Sequence, residues 1–207
     1  MPRKAALITF DDGYAGVGEY AAPFLASLDV PSVLYVPAGL LGGSSLWLEP
    51  RHRHPLMSAD EVRAVARQGM AVGAHGFDHS DLTSLRASDV RRHTVETKAV
   101  LEHVVGEPVR SFAFPYGTHN RRTREAVRAA GYQAAFAVHD SADDFAVRRV
   151  DVNAHDTMRT FRLKLSRFYP VARSATDRFP AARAFAHDLL GRAPRDGQDP
   201  SFPAGAR

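Results

Sequence analysis

The 207-residue chain contains no cysteine. No disulfide, thiolate metal site or thiol nucleophile can be built from it, so any metal it binds must be held by histidine and carboxylate. No apolar run approaches the ~20 residues needed to cross a bilayer as a helix, so no integral membrane segment is expected. Lysine occurs only at Lys4, Lys98 and Lys164. The arginines are scattered or paired, as in Arg121-Arg122 and Arg148-Arg149. That is not the clustered basic face with interleaved aromatics that nucleic-acid binding uses. The net charge of +4 is therefore read as an arginine-rich composition, and no nucleic-acid partner is expected. Arg3 and Lys4 lead directly into an apolar strand pattern, with no h-region and cleavage site. As written, the chain is expected in the cytoplasm; a start lying further upstream would allow association with the cell envelope.

What remains is ordinary for one globular domain: 44% hydrophobic and 24% charged residues. Extended and helical patterns alternate along it. Strands are expected at 5–10, 32–36, 71–74, 111–114, 134–138 and 146–150. Between them, 18–28 has helical spacing, with Pro23 near its first turn. Ser58-Ala59-Asp60-Glu61 reads as a capping box that opens a helix through Gln68. A long amphipathic helix is expected over 88–105, closed by Gly106, and another over 120–130, closed by Gly131. Strands alternating with helices imply parallel βα units and an α/β fold. The tail 191–207, rich in Pro, Gly, Ala and Arg, is expected to be disordered and to follow a single domain over 1–190.

The informative residues fall just after strands, where barrel enzymes assemble their sites. Thr9-Phe10-Asp11-Asp12-Gly13 places two adjacent carboxylates at a strand end. Like charges repel and burial penalises both. A cation taking one as ligand would relieve this and leave the other as a base. His75 and His79, four residues apart in His75-Gly76-Phe77-Asp78-His79, complete a three-ligand set with open positions, the pattern of a catalytic metal. The plainer alternative is two hydrogen-bonded histidines and a helix-capping Asp12. Asp78 is expected to be solvated, with orientation of one imidazole as the alternative. Pro115-Tyr116-Gly117 follows a later strand; alone it would read as a turn.

These three segments, in this order, resemble the polysaccharide deacetylases, the NodB-homology or carbohydrate esterase family 4 enzymes, and most closely their bacterial surface-polysaccharide branch. The resemblance runs from about Ala5 to Leu165 and includes Arg149-Val150-Asp151-Val152 and Phe161 to Leu165. It implies a distorted, incomplete (β/α) barrel of about seven strands. It implies a hydrolase removing N-acetyl groups from N-acetylhexosamine units of a polysaccharide or oligosaccharide. It assigns Asp12, His75 and His79 to one divalent ion, with zinc the default and cobalt, nickel or iron also suited to such ligands. It assigns Asp11 as general base and the backbone N–H of Tyr116 as oxyanion donor, with Pro115 and Tyr116 at the substrate. Trp47, in the long segment 40–57, is expected either to stack on a pyranose ring or to pack that loop onto the barrel. His52 and His54 of the same segment are expected to be solvated.

The chain departs from the family at three places. Gly76 stands where the second motif has Ser or Thr, and Ala113 stands where many members have an arginine that contacts the catalytic Asp. Arg148 or Arg149 is the candidate replacement, unless both are surface residues. The general-acid histidine has no clear counterpart; His155 and His187 are fallback candidates. The alternatives to deacetylation are hydrolysis of another non-peptide C–N bond, in a cyclic amide or imide, and a degenerate non-catalytic sugar- or metal-binding domain.

Overall fold

A computed structural model describes residues 6–138, 143–153, 155–166 and 169. His187 and the tail 191–207 lie outside the described residues. The chain divides into two compact units, Met1–Arg149 and Val150–Arg207.

The first unit is built on six strands: β1 (Ile8–Phe10), β2 (Ser32–Val36), β3 (Ala71–Ala74), β4 (Ser111–Ala113), β5 (Ala134–Ala137) and β6 (Val147–Arg148). They form one sheet in sequence order, and every neighbouring pair is parallel. Helices make the crossovers, as the alternating pattern requires: α1 (Ala22–Ser27), α2 (Ala59–Arg67), α3 (Ala87–Arg91), α4 (Thr97–Val105) and α5 (Arg121–Ala129). The sheet curls until residues just past its two edge strands meet: Arg149, after β6, bonds Asp11, after β1. It is an incomplete (β/α) barrel, with six strands among the described residues where about seven were expected.

All five residues of β2 are buried. Strand alternation sends Leu34 and Val36 into the main core with Val62, Val65, Leu101, Phe112, Phe114 and Val127. Val33 and Tyr35 go to a second cluster with Ala113 and Phe136. A strand covered on both faces reads as the apolar run Val-Leu-Tyr-Val behind Ser32, which is why its limits were legible in the sequence.

Helix starts also follow the expected chemistry. The Glu61 N–H donates to Ser58 Oγ at 3.3 Å, and the Ser58 N–H donates to Glu61 Oε2 at 2.7 Å, closing the capping box of α2. Asn120 caps α5 through the Thr123 N–H at 3.0 Å. Two helices differ from expectation. The segment 18–28 opens with a π turn, Val17–Ala21, before α1. Pro23 cannot donate to the carbonyl four residues back, and its ring crowds it, so the wider turn falls just before the proline. The single helix expected over 88–105 is α3 and α4 joined by a second π turn, Arg92–Glu96. Apolar spacing does not distinguish such a turn from α-helix.

In the second unit, Thr157 Oγ1 accepts the Thr160 N–H at 3.2 Å and opens α6 (Met158–Lys164). Lys164 Nζ lies 2.7 Å from Asp156 Oδ2 and 3.0 Å from the Asp151 carbonyl.

Candidate active site

The C-terminal ends of β1, β3 and β4 carry the motif residues. β1 stops at Phe10, so Asp11 and Asp12 lie beyond it. Asp12 adopts a left-handed conformation, φ 72. The two carboxylates thus diverge through a sharp turn and not through strand alternation. Asp and Asn tolerate that region better than most side chains.

Asp12 Oδ1 lies 3.2 Å from the Nε2 atoms of both His75 and His79. One ligand atom from each residue lies within 4.8 Å of the others. His75 is 1% exposed. Its Nδ1 donates to the Ala113 carbonyl at 2.8 Å. That bond fixes the tautomer and turns the Nε2 lone pair toward Asp12. His79 is held by packing. The Trp47 indole stacks on it at 4.1 Å and 19°, and the Tyr116 ring meets it edge-on at 4.6 Å. His79 Nδ1 has no hydrogen-bond partner among the described residues. Two imidazole nitrogens and one carboxylate oxygen, converging in a buried place, fit a divalent cation.

Asp11 faces a different partner. Arg149 grips it with both guanidinium nitrogens, Nη1 to Oδ1 and Nη2 to Oδ2, each at 2.7 Å. Nη1 also donates to Thr9 Oγ1 at 3.1 Å, and the guanidinium carbon lies 5.5 Å from the Tyr35 ring. Arg149, one of the two candidates, therefore makes an arginine contact to Asp11 where position 113 is alanine. The choice between Arg148 and Arg149 was open in the sequence because only the curl of the sheet brings one of them to β1.

The electrostatics follow from this packing. Burial pushes the Asp11 carboxyl up, but the charge on protonated His75 and the Arg149 bonds outweigh it and hold Asp11 below the ordinary carboxylate range. Burial also opposes the charge on Asp12, yet bonds to His75 and His79 hold its pKa far down. Burial acts against a charged His75, but Asp11 and Asp12 hold the imidazole above the usual histidine range. A proton and a cation would compete for the same Nε2 lone pair, so a metal held here would be released on acidification.

The segment 40–57 is more ordered than expected. Ser45 N–H donates to the His54 carbonyl at 3.0 Å, and Met57 N–H donates to Gly13 O at 2.9 Å, tying the loop to the first motif. Tyr14, missed in the sequence although it directly follows that motif, sits between Trp47 and His54 at ring distances of 6.3 and 5.9 Å. Burial, then the charge of Asp12, push its hydroxyl up to about 12. His54 and His52 are exposed, as expected. Asp78 is not solvated on all sides: Oδ1 accepts from Ser80 N–H at 3.1 Å and lies 3.7 Å from His93 Nε2. His155 is exposed and belongs to the second unit.

Four non-glycine residues have positive φ among those described, and three are Asp12, His79 and Tyr116, with Asp29 the fourth. Such conformations cost about 1–3 kcal/mol each and concentrate at functional sites. Tyr116 has φ 59 and is 51% exposed, while Pro115 and Gly117 are buried. Gly117 has φ 69, and a Cβ there would lie 2.5 Å from Val138 Cβ and 2.9 Å from its backbone nitrogen. Gly117→Ala is expected to lose on the order of 2 kcal/mol or more, from the left-handed backbone plus the clash. Urea unfolding checks this; an unchanged midpoint would contradict the described turn.

Residues 1–135 match the sequence profile of the family described as polysaccharide deacetylase. Among curated proteins, YxkH of Bacillus subtilis (strain 168), which carries the polysaccharide deacetylase name, is 24% identical over 155 residues. That alignment covers 72% of this chain and 52% of YxkH, so the chain spans about half the length of the curated relative it matches. Among solved structures, Streptococcus pyogenes deacetylase PplD, in complex with acetate, superposes with a TM-score of 0.68 at 16% identity, over 80% of this chain and 73% of that one. IcaB from Ammonifex degensii has a TM-score of 0.60 at 28% identity, over 74% and 70%. The BpsB deacetylase domain from Bordetella bronchiseptica has a TM-score of 0.58 at 23% identity, over 69% of each chain. The likeness to PplD and BpsB carries the fold.

Proposed function

Because the chain belongs to the polysaccharide deacetylase family, we propose that it is a metal-dependent hydrolase removing acetyl groups from N-acetylhexosamine units of a polysaccharide or oligosaccharide. The observation that carries this reading is a division of labour between adjacent carboxylates. Asp12 faces two imidazole nitrogens, while Asp11 is held by Arg149 and left to move a proton. A sugar- or metal-binding module has no use for that second carboxylate.

Asp12, His75 and His79 would hold the ion, zinc by default, with cobalt, nickel or iron also suited to such donors. When bound, it would supply Lewis-acid polarisation of the amide carbonyl and a lowered pKa for water. Asp11 takes the proton of the attacking water. A carboxylate has about four lone-pair sites, so the bidentate arginine leaves sites free for that proton. Arg149 keeps Asp11 ionised and oriented before attack. The Tyr116 backbone N–H is the oxyanion donor, presented by the strained turn between Pro115 and Gly117. Trp47 and Tyr116, both packed against His79, offer the aromatic surface against which a pyranose ring lies. The amine leaves only if protonated, and the proton held on Asp11 is the one returned to it. His155 and His187 are the other candidate donors.

The test is acetate release from chitooligosaccharides by the full chain. Release should depend on added zinc or cobalt and stop on chelation. No release by metal-loaded protein from any N-acetylated oligomer, with turnover of a cyclic amide or imide instead, would replace this reading with the second hydrolase.

A further inference from the structure

The peptide between the two histidines, Gly76-Phe77-Asp78, is held by a residue outside the motif. It turns through Gly76 at φ 73. His93, 3% exposed, reaches it from the π turn Arg92–Glu96. The Phe77 N–H donates to His93 Nδ1 at 3.2 Å. An accepting Nδ1 leaves the ring proton on Nε2, which lies 3.7 Å from Asp78 Oδ1. The neighbouring Arg92 guanidinium sits 4.0 Å from the Phe77 ring centroid. A Cβ at position 76 would come within 3.3 Å of His93 Nδ1, so glycine there leaves room for the imidazole. The π turn is itself tied down: Thr97 Oγ1 donates to Arg92 O at 3.2 Å, and the Tyr132 hydroxyl to Thr94 O at 2.9 Å.

We propose that His93 is a positioning residue for the metal centre. By accepting the Phe77 N–H it fixes the peptide joining His75 to His79, and so fixes how far apart the two Nε2 atoms stand. This rests on Asp12, His75 and His79 being metal ligands. His79 needs such a support from its main chain: it sits at φ 65, and its own Nδ1 has no hydrogen-bond partner among the described residues. Partners that orient metal ligands typically change metal affinity by about 10–100-fold when removed.

The experiment titrates full-length wild type, His93→Leu and His93→Asn with Zn2+ and Co2+, following affinity and the Co2+ absorption spectrum. Leu keeps the bulk and removes the acceptor; the Asn side-chain oxygen can replace Nδ1. His93→Leu should bind about 10–100-fold more weakly, with altered Co2+ bands, and His93→Asn should restore both affinity and spectrum. A residue needed only for stability would lower the melting temperature of the metal-free protein and leave the Co2+ spectrum unchanged, which overturns the proposal. So does equal loss in Leu and Asn. If wild type takes up no metal, the ligand assignment has failed; if wild type binds and His93→Leu matches it, only the positioning role has failed. Should neither variant fold, hydrogen exchange on wild type decides, since an unprotected Phe77 amide is incompatible with the bond to His93.

Discussion

Asp11→Asn is expected to keep its metal and to lose turnover by about 10²–10⁴-fold, the range of a general base. The substitution is nearly isosteric and removes only the ability to take a proton. Asp11 lies outside the ligand set, with both oxygens on Arg149. Asp12→Asn should do the reverse and weaken metal uptake first, because Oδ1 of Asp12 is the atom shared between His75 and His79. Asn accepts the left-handed backbone at position 12, so this variant tests the ligand and not the turn. Metal content by mass spectrometry, read beside acetate release, separates the two. Equal metal loss in both variants would mean that the carboxylates share one role.

Arg149→Met is expected to move the acid limb of the pH–rate profile to higher pH and to destabilise the fold. Asp11 has a folded-state pKa held below its unfolded value. Its contribution to stability is therefore present above the unfolded pKa of about 3.9 and is lost as pH falls through the folded value. Removing Arg149 takes away one of the groups that lower this pKa and leaves the burial that raises it. Breaking a fully buried pair costs about 3–5 kcal/mol. Here the Asp11 side chain is 32% exposed, so about 1–3 kcal/mol at neutral pH is the expected loss. The difference from wild type should shrink on acidification, once Asp11 is protonated in both proteins. Arg148→Met serves as the control. If Arg149→Met keeps the wild-type acid limb and the wild-type urea midpoint, the ion pair has no part in setting the base.

The alternating strand and helix pattern, the capping box at Ser58 and the stop at Gly106 were all legible in the sequence, because each depends on neighbours a few residues away. Asp11, Asp12, His75, His79 and Tyr116 stood out as candidates in the same way, because each lies shortly after an expected strand. The sequence could not choose between Arg148 and Arg149, nor reveal that Trp47 stacks on His79 or that His93 bonds Phe77. Those partners are separated by 138 residues for Arg149 and Asp11 and by 16 for His93 and Phe77. No local rule relates them. The curl of the sheet decides the first, because it brings the ends of its edge strands together. The course of the 40–57 segment across the strand ends decides the second. A π turn decides the third, and in the sequence it is indistinguishable from ordinary helix. The separation of Asp11 from Asp12 also differs from a strand's: β1 ends at Phe10, two residues short of Asp12, and a left-handed turn at Asp12 aims the two carboxylates at different partners. Local chemistry determined which side chains this protein could use, and long-range packing decided what each of them touches, because contact distance depends on the path of the whole chain.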